Sequence, residues 1–550
     1  MIRSARSGLR SLLPEADDYR ALRSSWRADL IAGLTVGIVA LPLALAFGVT
    51  SGAGAEAGII TAIVAGLVAA VFGGSNVQVS GPTGAMVVVL APIIASHGVG
   101  AVALVSVLAG IIVLAAGVLR LGRAVSYIPW PVIEGFTAGI GVIIFLQQVP
   151  AAVGAQGGAH SSNAVAAAWE ALAQAEWPQA LLPLGAVAAV AAIMLLGRFA
   201  PALPASFIAI AAVAVISALC GLPLSTIGEL PRTLPAPSLP ALDAAVVTSL
   251  IGPAFAVAAL AAIESLLSAR VAATLADTGH VNADRELFGQ GLASVAAGLF
   301  GGMPATGAIA RTAVNVRSGA RTRLAAAAHA IVLLLVVLVA ADVVSVIPIA
   351  ALSGVLMMTA ARMVSPATAL RVLRSGRSGA TVFVVTLAVT VAFDLIVAVG
   401  IGLAAAAFFA LRSLSRMSGA HRDPLPGDPQ PGDERIALFH IEGSLFFGAA
   451  DRLVDAISSA PDVEVVILRL SGLQLVDATG AHALAELVSA LERRGATVLI
   501  KGVRPEHRAL LERLGVIASL RHPNHLFAEL DAALAHARAH VRRAAAGRID

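Results

Sequence analysis

From residue 28 to residue 416 long apolar runs alternate with short polar or basic breaks, and beyond that point the alternation stops. Runs at 31–47, 99–119, 181–196 and 324–341 approach or reach the roughly 20 residues that carry a helix across a bilayer. Counting every such run, with two short interrupted ones, predicts about 14 crossings. A Pro/Gly/Asp-rich linker follows at 417–433, with the run SGAHRDPLPGDPQPGDE. Such a run breaks both helix and strand. The period then changes. Apolar β-type runs at 436–441, 463–470 and 497–500 are joined by helical patterns at 480–494 and 506–514, which predicts a small α/β domain. The chain therefore reads as a basic tail at 1–27, a polytopic α-helical membrane domain at 28–416, the linker, and a soluble domain at 434–545.

Two of the interruptions carry the same letters. Phe72-Gly73-Gly74 is followed by Thr83-Gly84-Ala85, and Phe300-Gly301-Gly302 by Thr306-Gly307-Ala308. Each FGG closes an apolar segment and each TGA opens a new, short one. Glycine lets the backbone leave helical geometry. A restarted helix then presents free N–H groups and a positive dipole end, which suits an anion. The two threonines are 223 residues apart, and half of the crossings lie between them. An odd number of crossings per half turns the second half over, so the repeat is inverted and the two broken helices meet near the bilayer midplane.

Composition agrees with membrane embedding: 58% hydrophobic, 13% charged, with a mean hydropathy of +0.89, far from soluble averages. The basic residues are arginines apart from Lys501, and the net charge of +4 gives no argument for nucleic acid. In the membrane region the arginines gather in clusters, such as Arg120/Arg123, Arg317/Arg321/Arg323 and Arg362/Arg371/Arg374/Arg377. If each cluster is cytoplasmic, both termini are inside and the stretch 151–179 is an outside loop. The polar, basic start speaks against a signal peptide. Cys220 is the single cysteine, so there is no disulfide framework.

Glu264 is the only acid between residues 251 and 271. A carboxyl inside a membrane helix is costly and should face a cavity, pair, or take a proton. There it can serve a coupling ion, H+ or Na+, with Ser265 and Ser268 close enough along the helix to line the same cavity. Arg311 lies roughly one turn beyond Thr306 and offers a permanently charged fork to an oxyanion; it is equally an internal partner for Glu264. Thr83 and Thr306 are natural N-caps or direct ligands, with Pro82 and Pro304 just before them. Gln78 and Ser80 reach the cavity more weakly. Pro42 either shapes the cavity or kinks its helix. Glu134 reads as a structural hydrogen bond near a helix end. The soluble domain has no Gly-rich phosphate loop and no metal-ligand cluster. Its distinctive turn is 476–480, where Asp477 or Thr479 caps the next helix.

Taken together, GLTVGIVALPLALAFGV, FGGSNVQVSGPTGAM, VIEGFTAGIG, IESLLSARVA, DRELFGQG and GGMPATGAIARTAVNVRSGARTR resemble the SulP family of anion transporters, relatives of sulfate transporters, pendrin and prestin. The tail resembles a STAS domain, with VDATGAHAL at that domain's D-S-[ST]-G turn. The resemblance implies a seven-plus-seven inverted repeat with core and gate domains, shared with uracil transporters, and a homodimer in the inner (plasma) membrane. It assigns Thr83, Gly84 and Ala85 to the first half-helix of the substrate site, and Thr306, Gly307, Ala308 and Arg311 to the second. Glu264 stands where relatives have a cation-binding aspartate or a proton-linked glutamate; Ser268 goes with it. Thr479 stands at the position phosphorylated in anti-sigma antagonists, and Ala478 replaces the usual serine, which argues against that modification. The expected function is secondary active transport of sulfate, bicarbonate or a C4-dicarboxylate by alternating access, as proton symport or anion exchange, not an enzyme and without a cofactor. Two rivals stand beside it: an anion-responsive sensor that signals to a cytoplasmic partner through the STAS domain, and a nucleobase transporter on the same fold.

Overall fold

The structure is a computed structural model that describes residues 12–14, 16–19, 22–123, 128–155, 163–200, 203–230, 232–240, 243–393, 395–417, 419–446 and 463–546. It divides into two compact units, Met1–Leu403 and Ala404–Asp550.

The first unit opens with α1 (Leu22–Ser51), α2 (Ala55–Phe72), strand β1 (Ser80–Gly81), α3 (Gly84–His97), α4 (Ala101–Val118) and α5 (Trp130–Gln147). Then come α6 (Ala164–Ala173), α7 (Trp177–Leu196) and α8 (Ala205–Leu219). The second half runs α9 (Ala244–Leu275), α10 (Ala283–Leu299), β2 (Thr306–Gly307), α11 (Ile309–Arg317) and α12 (Arg323–Ser345), followed by α13 (Ile349–Met363), α14 (Pro366–Arg374), α15 (Arg377–Ala392) and α16 (Leu395–Met417), whose residues beyond Leu403 belong to the second unit. Setting aside α6 and α14, these make two successive groups of seven: α1–α5, α7 and α8, then α9–α13, α15 and α16. Among the described residues eight helices are long and apolar enough to cross a membrane alone. The half-helices are not: α3 has 14 residues and α11 has 9, about 21 and 14 Å at helical rise, short of a bilayer core of about 30 Å.

Close helix packing is made by small residues, as membrane helices require. On α4, a methyl group at Gly110 would lie 2.8 Å from the Gly291 carbonyl oxygen, and one at Gly117 would lie 2.6 Å from the Phe288 nitrogen. The helices α1–α4 and α9–α12 pack chiefly on one another, while α5, α7, α8, α13 and α15 form a second group. Leu196, Phe199, Leu219 and Val339 are exposed, which fits lipid rather than water. Pro42 is buried within α1. It lines an apolar cavity of about 210 Å3 with Phe207, Ile210 and Val344, and no half-helix residue lines that cavity.

The second unit is a five-stranded sheet in the order β3 (Gly419–Asp423), β4 (Ile436–Leu445), β5 (Val465–Val476), β6 (Thr497–Lys501), β7 (Leu526–Phe527). All neighbours are parallel except β3, which pairs antiparallel with β4. Side chains of a strand alternate between faces. Accordingly, Ala437, Phe439 and Ile441 join a core with α17 (Ala478–Arg493) and α18 (Pro505–Arg513), and Ile436 and Leu438 join another with α19 (Leu530–Ala546). β3 corrects the expectation that 417–433 carries neither helix nor strand: its backbone finds the free edge of β4. Arg538 on α19 pairs with Asp433 at 2.7 Å, and that hydrogen bond holds the Asp433 carboxyl below the usual range. Burial lowers His525 and His540.

Candidate functional site

The two interruptions meet. Ser80 is paired with Gly307 and Gly81 with Thr306 in an antiparallel ladder, and the Ala308 N–H donates to the Val79 carbonyl at 2.8 Å. Antiparallel pairing brings the two interruptions together, as the doubled motif predicted, and the chain leaves the ladder for α3 at one end and for α11 at the other.

Glu264, about two thirds of the way along α9, lies across this junction. Its Oε2 accepts from the Thr83 hydroxyl at 2.8 Å and the Thr306 hydroxyl at 2.7 Å, and the two hydroxyls lie 3.2 Å apart. One carboxylate oxygen is thus clasped by a threonine from each half. The next residue, Ser265, accepts from the Gly307 N–H at 3.0 Å. Ser268, one turn along and on the same face of α9, has its hydroxyl 3.2 Å from that of Thr312 on α11.

The identical TGA triplets are used differently. In the first, Thr83 occupies the N-cap of α3. In the second, Thr306 and Gly307 are strand residues and Ala308 is the N-cap of α11. Thr306 therefore does not open its helix, and neither threonine side chain makes a cap bond: both hydroxyls go to Glu264. The N–H groups of Gly307 and Ala308 are also taken, by Ser265 and Val79. Hydrogen bonding within the half-helices starts at Val87 and Thr312, whose N–H groups donate to the carbonyls of Thr83 and Ala308. That leaves the N–H groups of Gly84, Ala85 and Met86, and of Ile309, Ala310 and Arg311, as the free helix starts. Gly84 and Ala85 are buried, whereas Ile309 and Ala310 are exposed.

Arg311 is buried, and its Nη2 donates to the Pro82 carbonyl. Its Nη1 passes over Gly81, 2.8 Å from where a β-carbon would stand. Among the described residues no ion pair within 4 Å joins it to Glu264. Its charge underlies the crossover of the first half-helix.

Sequence reasoning passed over several residues that fasten the junction. Glu286 and Gln290, one turn apart on α10, are both buried. Glu286 accepts from the Gly74 N–H at 2.8 Å, the Gln78 amide at 2.7 Å and the Gln290 amide at 2.9 Å, while Gln290 also donates to the Ser80 hydroxyl. Arg323 donates to the Gly73 carbonyl at 2.6 Å. From α11, Thr312 accepts from the Val79 N–H and Asn315 donates to the Val77 carbonyl. The second connector is held by Thr61, which accepts from the Met303 N–H at 2.7 Å. The available signal was the i,i+4 spacing of Glu286 and Gln290 on one helix face.

Elsewhere, Glu134 accepts from the Trp130 indole at 2.9 Å, the structural bond expected of it. Asp477 is the N-cap of α17 and accepts from the Gly480 N–H at 2.7 Å; Thr479 is exposed one turn-position later. A cavity of about 730 Å3 lined by Gly154, Pro183, Pro223 and Ala350 contains no half-helix residue, so its size does not make it the site.

Residues 26–386 match the model of the sulfate permease family, and residues 430–533 match that of the STAS domain. YvdB of Bacillus subtilis (strain 168), which carries a sulfate-transporter name, is 33% identical over 504 residues, spanning 89% of this chain and 94% of the relative. The bicarbonate transporter BicA of Synechocystis sp. is 32% identical over 519 residues, spanning 89% and 90%. The solved structure of the murine Slc26a9 anion transporter superposes with a TM-score of 0.82 over 97% of this chain and 95% of that one. At 17% identity it shares the fold, the seven-plus-seven inverted repeat followed by a STAS domain.

Proposed function

Because the chain belongs to the sulfate permease family and carries a STAS domain, we propose that this multi-pass membrane protein moves a small oxyanion, sulfate or bicarbonate, by alternating access, with Glu264 carrying the coupling proton. The observation that supports this reading is the clasp of Thr83 and Thr306 on one oxygen of Glu264. A hydroxyl both donates and accepts. The same two threonines can therefore hold Glu264 as a carboxylate, by donating, or as a carboxylic acid, by accepting its proton. Each threonine adjoins the start of a half-helix, so a change of charge on Glu264 is felt where an anion would meet free N–H groups. Arg311 adds a fixed positive charge behind the first crossover, which favours an anion over an uncharged nucleobase. The arginine clusters support cytoplasmic termini, and a homodimer in the plasma membrane belongs to the same reading.

The test is uptake of labelled sulfate, bicarbonate and fumarate into proteoliposomes under an imposed pH gradient, with and without sodium. The expected result is gradient-driven uptake of at least one oxyanion. Glu264→Gln should abolish the response to the gradient while anion binding persists. A folded wild type that takes up no anion under any gradient rejects the function; an unchanged pH response in the variant rejects the role of Glu264.

A further inference from the structure

Glu286 lies outside the clasp, yet three donors converge on it from three segments: the Gly74 N–H at the end of α2, the Gln78 amide in the first connector, and the Gln290 amide on its own helix. All three are donors, and the two carboxyl oxygens of Glu286 accept all of them. Two short paths lead from it to the ladder. One runs through Gln78, whose Nε2 lies against Gly307 where a β-carbon would stand. The other runs through Gln290 to the Ser80 hydroxyl, and Ser80 is the ladder partner of Gly307. The carboxylate also has no slack. Gly73 and Gly74 touch α10 so closely that a β-carbon at Gly73 would stand 3.2 Å from Glu286 Oε2, and one at Gly74 would stand 2.7 Å from the Glu286 nitrogen. Arg323 takes the Gly73 carbonyl at 2.6 Å. Two buried side chains of opposite sign thus hold consecutive residues of the first break.

We propose that Glu286 is a positioning residue for the transport site: through Gln78 and Gln290 it fixes the register of the first half-helix against the second. This rests on the reading of the junction as the anion site. Pre-organised donors bind more tightly because less order is lost on binding. Replacing the carboxylate by an amide sets an NH2 against at least one of three buried donors and loosens the ladder, while the Glu264 clasp keeps its own residues.

The experiment compares full-length wild type, Glu286→Gln, Ser80→Ala and the half-buried control Glu134→Gln. Peptide-level hydrogen exchange is followed over 76–82 and 303–309, and sulfate and bicarbonate uptake is measured in proteoliposomes. Glu286→Gln should speed exchange in both peptides about tenfold and raise KM about tenfold with the maximal rate within about twofold. Ser80→Ala cuts the last link only. It should speed exchange over 303–309 and raise KM about threefold, and it decides the matter if Glu286→Gln does not fold. Unchanged exchange in the folded variants overturns the proposal, as does a fall in maximal rate with KM unmoved. A wild type that takes up neither anion defeats the transport reading, and the exchange data still decide the positioning role.

Discussion

At the first break the connector is fastened chiefly by charge and amides: Glu286 and Arg323 grip Gly74 and Gly73, Gln78, Gln290 and Asn315 hold the extended stretch that follows, and one hydroxyl, that of Thr312, takes the Val79 N–H. At the second break hydroxyls hold it: Thr61 at Met303, Ser106 at the Gly302 carbonyl and Ser294 at the Ala305 N–H. Several of the fasteners cross halves. Residues of α10–α12 secure the first connector, and residues of α2 and α4 help secure the second. The inverted repeat thus duplicates the backbone device without duplicating the chemistry that holds it. A buried carboxylate with several donors makes a stiff joint whose failure strands a charge. A buried hydroxyl makes a weaker one.

The sharpest way to break the symmetry is Gly307→Ala. The added methyl would overlap Gln78 Nε2 and stand 3.1 Å from the Ser265 Cα. Gln78 is tied to Glu286 and the Ser265 atom is backbone, so neither yields easily. Overpacking of this kind costs about 1–3 kcal/mol. Uptake in proteoliposomes should fall by more than about tenfold, because the ladder holds Thr306, which meets Glu264. Uptake near the wild-type level would show that the ladder is not rigid in the working protein.

Thr61→Val probes the hydroxyl-held connector. The methyl fits in place of the hydroxyl, but the Met303 N–H loses its partner in a buried setting. An unsatisfied buried donor costs about 1–3 kcal/mol. The midpoint of thermal unfolding in detergent should fall, and uptake should fall less than in Glu286→Gln, because one donor loses its acceptor here whereas three donors converge on Glu286. An equal or larger loss of uptake would erase the proposed difference between the breaks.

The doubled interruption was legible because glycine pairs and short restarted segments have one economical explanation, and the ladder between Ser80 and Thr306 is its outcome. The register of the second copy was not legible. Whether TGA begins a helix depends on Ser265 taking the Gly307 N–H, a contact from another helix. Glu286 escaped for the same reason: its partners Gly74 and Gln78 are 212 and 208 residues away, and next to Arg285 it reads as part of a polar helix start. In the soluble unit, β4 to β6 were legible from their period. β3 was not, because His421, Arg422 and Asp423 carry no apolar alternation and the strand exists by pairing with β4.

The clasp offers a finer comparison. Thr83 and Thr306 donate to the same oxygen at nearly equal distance, so Thr83→Val and Thr306→Val should each lower gradient-driven uptake to a similar extent. Their hydroxyls adjoin, so the double variant should depart from additivity by about 0.5–3 kcal/mol in a double-mutant cycle on uptake. Strict additivity would mean that the two threonines serve Glu264 independently.

Gly84→Ala carries the smallest expected effect and completes the contrast with Gly307. Gly84 is the first residue of α3, and an added methyl would meet the Ile144 Cδ1 and, at 3.3 Å, the Phe47 ring edge. These are the far ends of side chains, and a rotamer change at Ile144 relieves the contact, whereas nothing comparable can move at Gly307. Alanine also favours the helix by up to about 1 kcal/mol over glycine, which offsets part of the crowding. Uptake should stay within about threefold of wild type and the unfolding midpoint should barely move, since the net change is at the low end of overpacking costs, about 1 kcal/mol. A loss as deep as that of Gly307→Ala would mean that Ile144 and α5 stay fixed against the first half-helix throughout transport, and the two glycines would then be equivalent after all.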